Sequence, residues 1–219
     1  MKKLIKIVSI ILIFSLLSGC GKETQSGAKE ENNAQKGNTS SAAKSSLQSS
    51  SKILIAYFSR AGENYNVGVV DKGNTQIVAE MIAKKTDGTL FRIETAEDYP
   101  ESYSRCEDVA KKEQSDNARP KLKADVENFD EYDTVYIGYP IWWGDMPMAV
   151  YSFIESHDFS GKKILPFCTN EGSGLANTVE SIKKECPKAE VLQGLSIRGQ
   201  TAQKSEKDAE EAVDKWLEK

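Results

Sequence analysis

The sequence predicts an α/β domain of three layers, a five-stranded parallel sheet with helices on both faces. Two observations carry this. Five short runs rich in β-forming residues alternate with five segments of helical character, in the order β-α-β-α-β-α-β-α-β-α. The clearest of these runs, such as KILIAYFS at 52–59, is almost wholly apolar instead of alternating, the mark of a strand covered on both faces.

The elements follow in order. After the first strand, NTQIVAEMIAKKT (74–86) sets Ile77, Val78, Met81 and Ile82 at helical spacing, with Asn74 in the N-cap place and Asp87 and Gly88 as the stop. TLFRIET (89–95) is a second strand, alternating in part, and SYSRCEDVAKKEQSDN (102–117) a polar helix. DTVYIGYP (133–140) is a third strand that runs into Pro140. MPMAVYSFIES (146–156) is a helix with Pro147 early, where its missing N–H does no harm. KKILPFCTN (162–170) is the fourth strand, GLANTVESIKKEC (174–186) a helix, and AEVLQGLSI (189–197) a broken fifth strand. The last helix, 205–219, places Ala212, Val213, Trp216 and Leu217 on one face.

Ahead of this domain stand two segments of different character. Lys2, Lys3 and Lys6 precede the apolar run IVSIILIFSLL, which has signal-peptide length and falls short of the roughly 20 residues of a membrane span. Leu17, Ser18, Gly19 and Cys20 then resemble the lipobox of bacterial lipoproteins, so 1–19 is read as a signal peptide and Cys20 as the lipidated residue. Two acyl chains there would anchor the chain to the outer face of a bacterial cell membrane. Residues 20–51 continue with Ser, Asn, Gly, Lys and Glu, too polar to offset the entropy of ordering, which predicts a disordered tether with a reach of ~30 Å. The domain proper is 52–219.

Charge and cysteine usage narrow the function. Seven of the 29 basic and three of the 33 acidic residues fall in the first 51, leaving the domain with 22 and 30 and a net charge of about −8. That excess argues against nucleic acid and favours basic partner proteins. Beyond Cys20 the chain has Cys106, Cys168 and Cys186, with no C-x-x-C and a single His, His157, which speaks against a zinc or thioredoxin-like centre. A hydrolase is disfavoured because G-x-S-x-G is lacking and His157 is the only imidazole.

In parallel α/β sheets ligands sit beyond the carboxyl ends of strands, so the loops after strands one, three and four matter most. The first, YFSRAGENYNVGVVDKGNT (57–75), has amides and small hydroxyls ahead of a helix N-terminus, which makes either an anion site or a plain connection. It has neither G-x-x-x-x-G-K-[ST] nor G-x-G-x-x-G. The second places Trp142 and Trp143 before Gly144, offering an indole face to a planar ligand unless the pair caps the core; one of them is expected to do so. The third combines Thr169, Asn170, Gly172, Ser173 and Gly174, and alternatively is only a helix entry with Ser173 as N-cap. Cys168 at that strand end reads as a small buried hydrophobe.

Together, ILIAYFSRAG…GNTQIVAEMIA, DTVYIGYPIWWGDMPMAVYSFIE and FCTNEGSG resemble the flavodoxin family, in particular flavodoxin-like proteins with a Y-P-I-W-W-G second loop, over essentially all of 52–219. The resemblance implies a flavodoxin-like fold of strand order 2-1-3-4-5 and non-covalent FMN. It places Ser59, Arg60 and Ala61 at the start of a phosphate loop and Asn74 and Thr75 at its end. Pro140, Ile141, Trp142, Trp143 and Gly144 would lie along the isoalloxazine, and Thr169, Asn170, Glu171 and Gly172 at its pyrimidine edge. Carboxylates of Asp145 and Glu171 near the flavin would disfavour negative charge on it, and the peptide joining Gly144 to Asp145 would turn toward the reduced ring.

Two departures stand out. About eleven residues are inserted between Gly62 and Asn74, and the third loop lacks the aromatic that commonly stacks on the flavin. One of the paired Trp, or Tyr65 from the insert, would take that part. The implied role is an FMN electron carrier with basic redox partners; the alternatives are an NAD(P)H- or quinone-linked FMN reductase and a binding module that has lost FMN.

Overall fold

A computed structural model describes residues 51–219. The expectations for the signal peptide, Cys20 and the tether lie outside the described residues. Among the described residues, no helix is long and apolar enough to cross a membrane.

Strand β1 (Ile53–Tyr57) sits inside a parallel sheet. On one side it pairs with β4 (Thr89–Arg92), on the other with β5 (Thr134–Pro140), which pairs in turn with β6 (Lys163–Asn170). The last position is shared by β7 (Glu190–Val191) and β8 (Leu195–Arg198), both parallel to β6. Counted as ribbons this is the expected order 2-1-3-4-5.

The break in the fifth ribbon has a physical cause in β6. Ile164 turns its carbonyl to that side and accepts from the Leu192 amide at 2.8 Å. Two residues on, Pro166 faces the same way and has no N–H to donate, so the ladder lapses until Phe167 meets Leu195.

Both sheet faces are covered, and β1 shows how its sequence achieves this. Leu54, Ala56 and Phe58 enter one core with Val135, Ile137, Phe153 and Ile154, under α3 (Met148–Glu155) and α4 (Thr178–Glu185). Ile55 and Tyr57 enter the other with Val78, Ile82, Val213 and Trp216, under α1 (Asn74–Thr86) and α6 (Glu206–Leu217). The period of two thus feeds both layers, and each fully buried Leu or Ile contributes roughly 1.5–3 kcal/mol. Helix α2 (Tyr103–Ser115) packs beside α3.

Several boundaries differ from expectation. Strand β4 is shorter because the chain leaves β1 after Ile93 donates to Tyr57 O and pairs instead with a later segment through Ala96 to Lys121 O, 2.8 Å. Helix α1 is capped by Gly73, not Asn74; Ser59 Oγ, from the end of β1, accepts the Gln76 amide at 3.1 Å. Helix α4 begins only at Thr178 with Asn177 as its cap, so Ser173 is not one; positive φ at Gly174 and Ala176 prevents an earlier start. Three elements go beyond the expected set: a 3-10 turn at Phe129–Glu131, the short helix α5 (Gly199–Lys204), and a hairpin of β2 (Gly62–Asn64) and β3 (Gly68–Val70).

One packing constraint gives a direct test. A Cβ on Gly138 in β5 would stand 2.1 Å from the Phe167 ring. Gly138→Ala should therefore overpack the core and cost about 1–3 kcal/mol, read as a lower urea midpoint at unchanged slope.

Candidate functional site

The carboxyl ends of β1, β5 and β6 deliver their loops to one cleft, with about 800 Å³ of free space, part of it open to solvent. Its walls come from all three predicted loops, from the hairpin, and from one face of α2.

The first loop closes on itself before it opens. Gly73 lies so near Ser59 that a Cβ there would sit 2.3 Å from Ser59 Oγ and 2.5 Å from Arg60 O. The residues between leave this seam as the β2–β3 hairpin, turned at Asn66 (φ 61°) and Gly68 (φ 85°). Arg60 fastens it sideways, donating to Pro100 O at 3.0 Å, to Glu101 O at 2.8 Å and to Glu63 O. At the other end of the loop the amides of Asn74 and Thr75 open α1, where helix geometry supplies no acceptor, and none stands among the described residues. Beneath them Thr75 Oγ1 and Thr169 Oγ1 share a buried hydrogen bond of 2.8 Å, which ties α1 to the end of β6.

The second loop is a tight turn. Trp142 and Asp145 exchange both backbone hydrogen bonds, at 2.8 and 3.0 Å. Between them Trp143 (φ 51°) and Gly144 (φ 78°) are both left-handed, the signature of a type I′ turn. A bulky residue in that region is strained. Trp143 is held by α2, donating Nε1–H to Glu107 O at 3.1 Å with the Lys111 ammonium 4.8 Å above its ring. Trp142 turns inward, edge-on to Phe58 and Tyr99. Trp142 thus packs against the core while lining the cleft, and Trp143, 47% exposed, stands at the cleft with it.

The third loop is organised by Asn170. Its Oδ1 accepts from the amides of Gly172 (2.8 Å) and Gly174 (3.1 Å), and its Nδ2 donates to Ser196 Oγ at 2.8 Å. Its amide is thereby committed to the loop, although it lines the cleft. Glu171 presents its carboxylate there, with Oε1 accepting the Gln200 amide at 3.0 Å. Cys168 is fully buried, donates to Gly174 O, and burial pushes its thiol up to about 11, so it is a packing residue and not a nucleophile.

Of the predicted site residues, Arg60, Asn74, Pro140, Ile141, Trp142, Trp143, Thr169, Asn170 and Glu171 line the cleft. Ser59 and Thr75 lie buried behind it, and Ala61, Gly144 and Gly172 do not line it. The Asp145 carboxylate, expected near a flavin, turns away to the Met146 amide and the Tyr151 hydroxyl, 2.8 and 2.9 Å.

Sequence reading found Tyr65 but missed Asn64 and the α2 wall of Tyr103, Cys106, Glu107 and Ala110. Those four recur at i, i+3, i+4 and i+7, a stripe that was readable on an otherwise polar helix. Tyr65 from the hairpin stacks on Tyr103, centroids 5.8 Å apart. Burial raises the Cys106 thiol pKa, against the pull of Arg60. All three described cysteines are free, and no His, Cys, Asp and Glu grouping that could hold a metal occurs among the described residues.

The family described as Flavodoxin matches residues 52–219. A Bacteroides eggerthii protein assigned to the flavoproteins is 32% identical with a TM-score of 0.62, over 77% of this chain and 96% of its own. One from Bacteroides uniformis is 30% identical, TM-score 0.61, over 77% and 99%. A flavoprotein of Lactobacillus acidophilus in complex with FMN, at 22% identity and TM-score 0.55 over 72% and 97%, shares the fold. No curated protein matches the chain.

The turn supplies a test. No atom lies within 4 Å of a Cβ at Gly144, so its φ alone restricts it. Gly144→Val should cost about 1–3 kcal/mol by denaturant unfolding, and Gly144→Asn much less, because Asn tolerates the left-handed region.

Proposed function

The chain belongs to the flavodoxin family, and on that premise we propose that the cleft binds FMN and that the protein carries electrons, tethered through Cys20 to the outer face of a bacterial membrane. The observation that supports this most is the convergence of the loops after β1, β5 and β6 on one cleft with free helix-start amides at one end and indole and aliphatic surface beside them.

The residues present fit FMN. The unpartnered amides of Asn74 and Thr75, at the positive end of α1, suit a phosphate. Gly73, with no room for a Cβ, lets the backbone close there. Ile141, Trp142 and Trp143 offer a flat apolar wall to the ring, with Tyr65 on the hairpin side. Thr169 and Glu171 present polar groups at the opposite edge. Bound FMN would supply one- and two-electron chemistry. The chain's part is to hold it, to shield it from water with the hairpin and Trp143, and to bias its charge. Glu107 and Glu171 are the acidic groups of the lining, and they disfavour added negative charge in the cleft. The acidic surface suits basic redox partner proteins.

A second reading, an NAD(P)H- or quinone-linked FMN reductase, is favoured by one observation. The third loop contributes no aromatic to the cleft, which leaves open space that a second planar substrate could enter.

The test is an absorption and fluorescence titration of apoprotein with FMN. The proposal expects a yellow one-to-one complex, and no complex would favour a module that has lost the flavin. Gly73→Ala or deletion of residues 63–72 should weaken FMN binding by about tenfold or more, since even 1.4 kcal/mol of lost closure is tenfold; unchanged affinity would contradict the assigned phosphate end and hairpin. Steady-state NADH oxidation with quinone or ferricyanide separates the readings: rapid turnover selects the reductase, its absence the carrier.

A further inference from the structure

The hairpin is held on two flanks, and the second involves a helix to which no role has been given. On the α2 side stand the Arg60 bonds, the Glu63 amide to Glu101 O at 3.0 Å, and the Tyr103 amide to Glu63 Oε2 at 3.0 Å. On the opposite side lies α5, whose start is capped by Glu171 of the third loop. Its Gln200 side chain donates to Asn66 O at the hairpin turn, 3.3 Å. Its Gln203 side chain donates to Lys72 O at the hairpin base, 2.7 Å, and to Asn74 Oδ1 at the head of α1, 2.9 Å. A Cβ on Gly199 would stand 2.3 Å from Asn74 Nδ2 and 2.8 Å from Glu171 Oε1, so α5 is pressed directly against both loops.

We infer that Gln203, assisted by Gln200, is a positioning residue for the ligand cleft: Gln203 fixes the base of the β2–β3 hairpin and the head of α1 to α5, Gln200 fixes the hairpin turn to the same helix, and together they set Asn64, Tyr65 and Asn74 against whatever the cleft holds. This rests on the reading of the cleft as an FMN site. The chemistry is specific to a neutral donor amide. Both acceptors of Gln203 are oxygens, a carbonyl and a side-chain amide oxygen, so a carboxylate of the same shape would repel both. A lysine would keep a donor within reach of them.

Neither glutamine lines the cleft. Their effect on affinity must therefore pass through the hairpin and Asn74. Losing two such bonds corresponds to roughly a tenfold change in the hairpin's open-to-closed ratio.

The experiment compares wild type, Gln203→Glu, Gln203→Lys and Gln200→Ala/Gln203→Glu by amide hydrogen exchange without ligand, and by FMN titration. The inference expects amides of residues 62–70 to exchange about tenfold faster in Gln203→Glu, faster still in the double variant, and near the wild-type rate in Gln203→Lys. FMN affinity should fall in the same order, with exchange in β5 and β6 unchanged. Wild-type exchange in the hairpin of Gln203→Glu overturns the inference. So does faster exchange at unchanged FMN affinity. If wild type itself binds no FMN, the functional reading fails and the positioning role with it; if wild type binds and Gln203→Glu matches it in both measurements, the positioning role alone fails.

Discussion

The cleft depends on one close approach. Ser59, at the end of β1, and Gly73, at the head of α1, lie nearer than any side chain on residue 73 would permit. Ser59 Oγ meanwhile takes the Gln76 amide, so the serine caps a helix that begins fifteen positions further on. This seam has three consequences. The chain between its two sides must leave as an excursion, and it does so as a hairpin. The Asn74 and Thr75 amides are left without an acceptor among the described residues at the helix start. And the head of α1 is tied to the end of β6 through the buried Thr75 and Thr169 hydroxyls.

Around that seam the protein is regular where the sheet carries the fold and strained where the second loop borders the cleft. The central strands β1, β5 and β6 are buried on both faces, and packing holds them. The second loop does not: Trp143 occupies backbone space that a bulky residue avoids, held there by α2 through its indole N–H and by Lys111 over its ring. Strain of this kind, of order 1–3 kcal/mol, persists only where neighbours over-determine it. It also explains the paired tryptophans. Trp142 supplies the hydrophobic anchor among Phe58 and Tyr99, and Trp143 the exposed wall.

The sequence displayed the sheet and its loops because both follow local rules. Apolar runs of strand length, helical spacing at Ile77, Val78, Met81 and Ile82, and the position of each loop after its strand were enough for the alternating α/β order and the three loops of the cleft, while the strand order and the nine lining residues came from the resemblance to the flavodoxin family. What stayed hidden depends on distance. The cap of α1 comes from Ser59, across the fourteen residues 60–73, so Asn74 took its place in the sequence reading. The hairpin strands are three residues each, with no alternating apolar face, and only Asn66 and Gly68 mark the turn. Helix α5 has six residues and is fixed by Glu171 and by its contact with α1, neither visible as periodicity. The Asp145 carboxylate was misplaced because its direction is decided by Tyr151 on α3.

The most direct measurement of the central claim is an amide proton–nitrogen correlation spectrum of isotope-labelled protein with and without FMN. If the seam presents a phosphate site, the Asn74 and Thr75 amides shift strongly downfield on binding, together with the Trp143 indole N–H and the Thr169 and Glu171 amides. FMN bound with Asn74 and Thr75 unmoved, or no binding at all, would contradict the account.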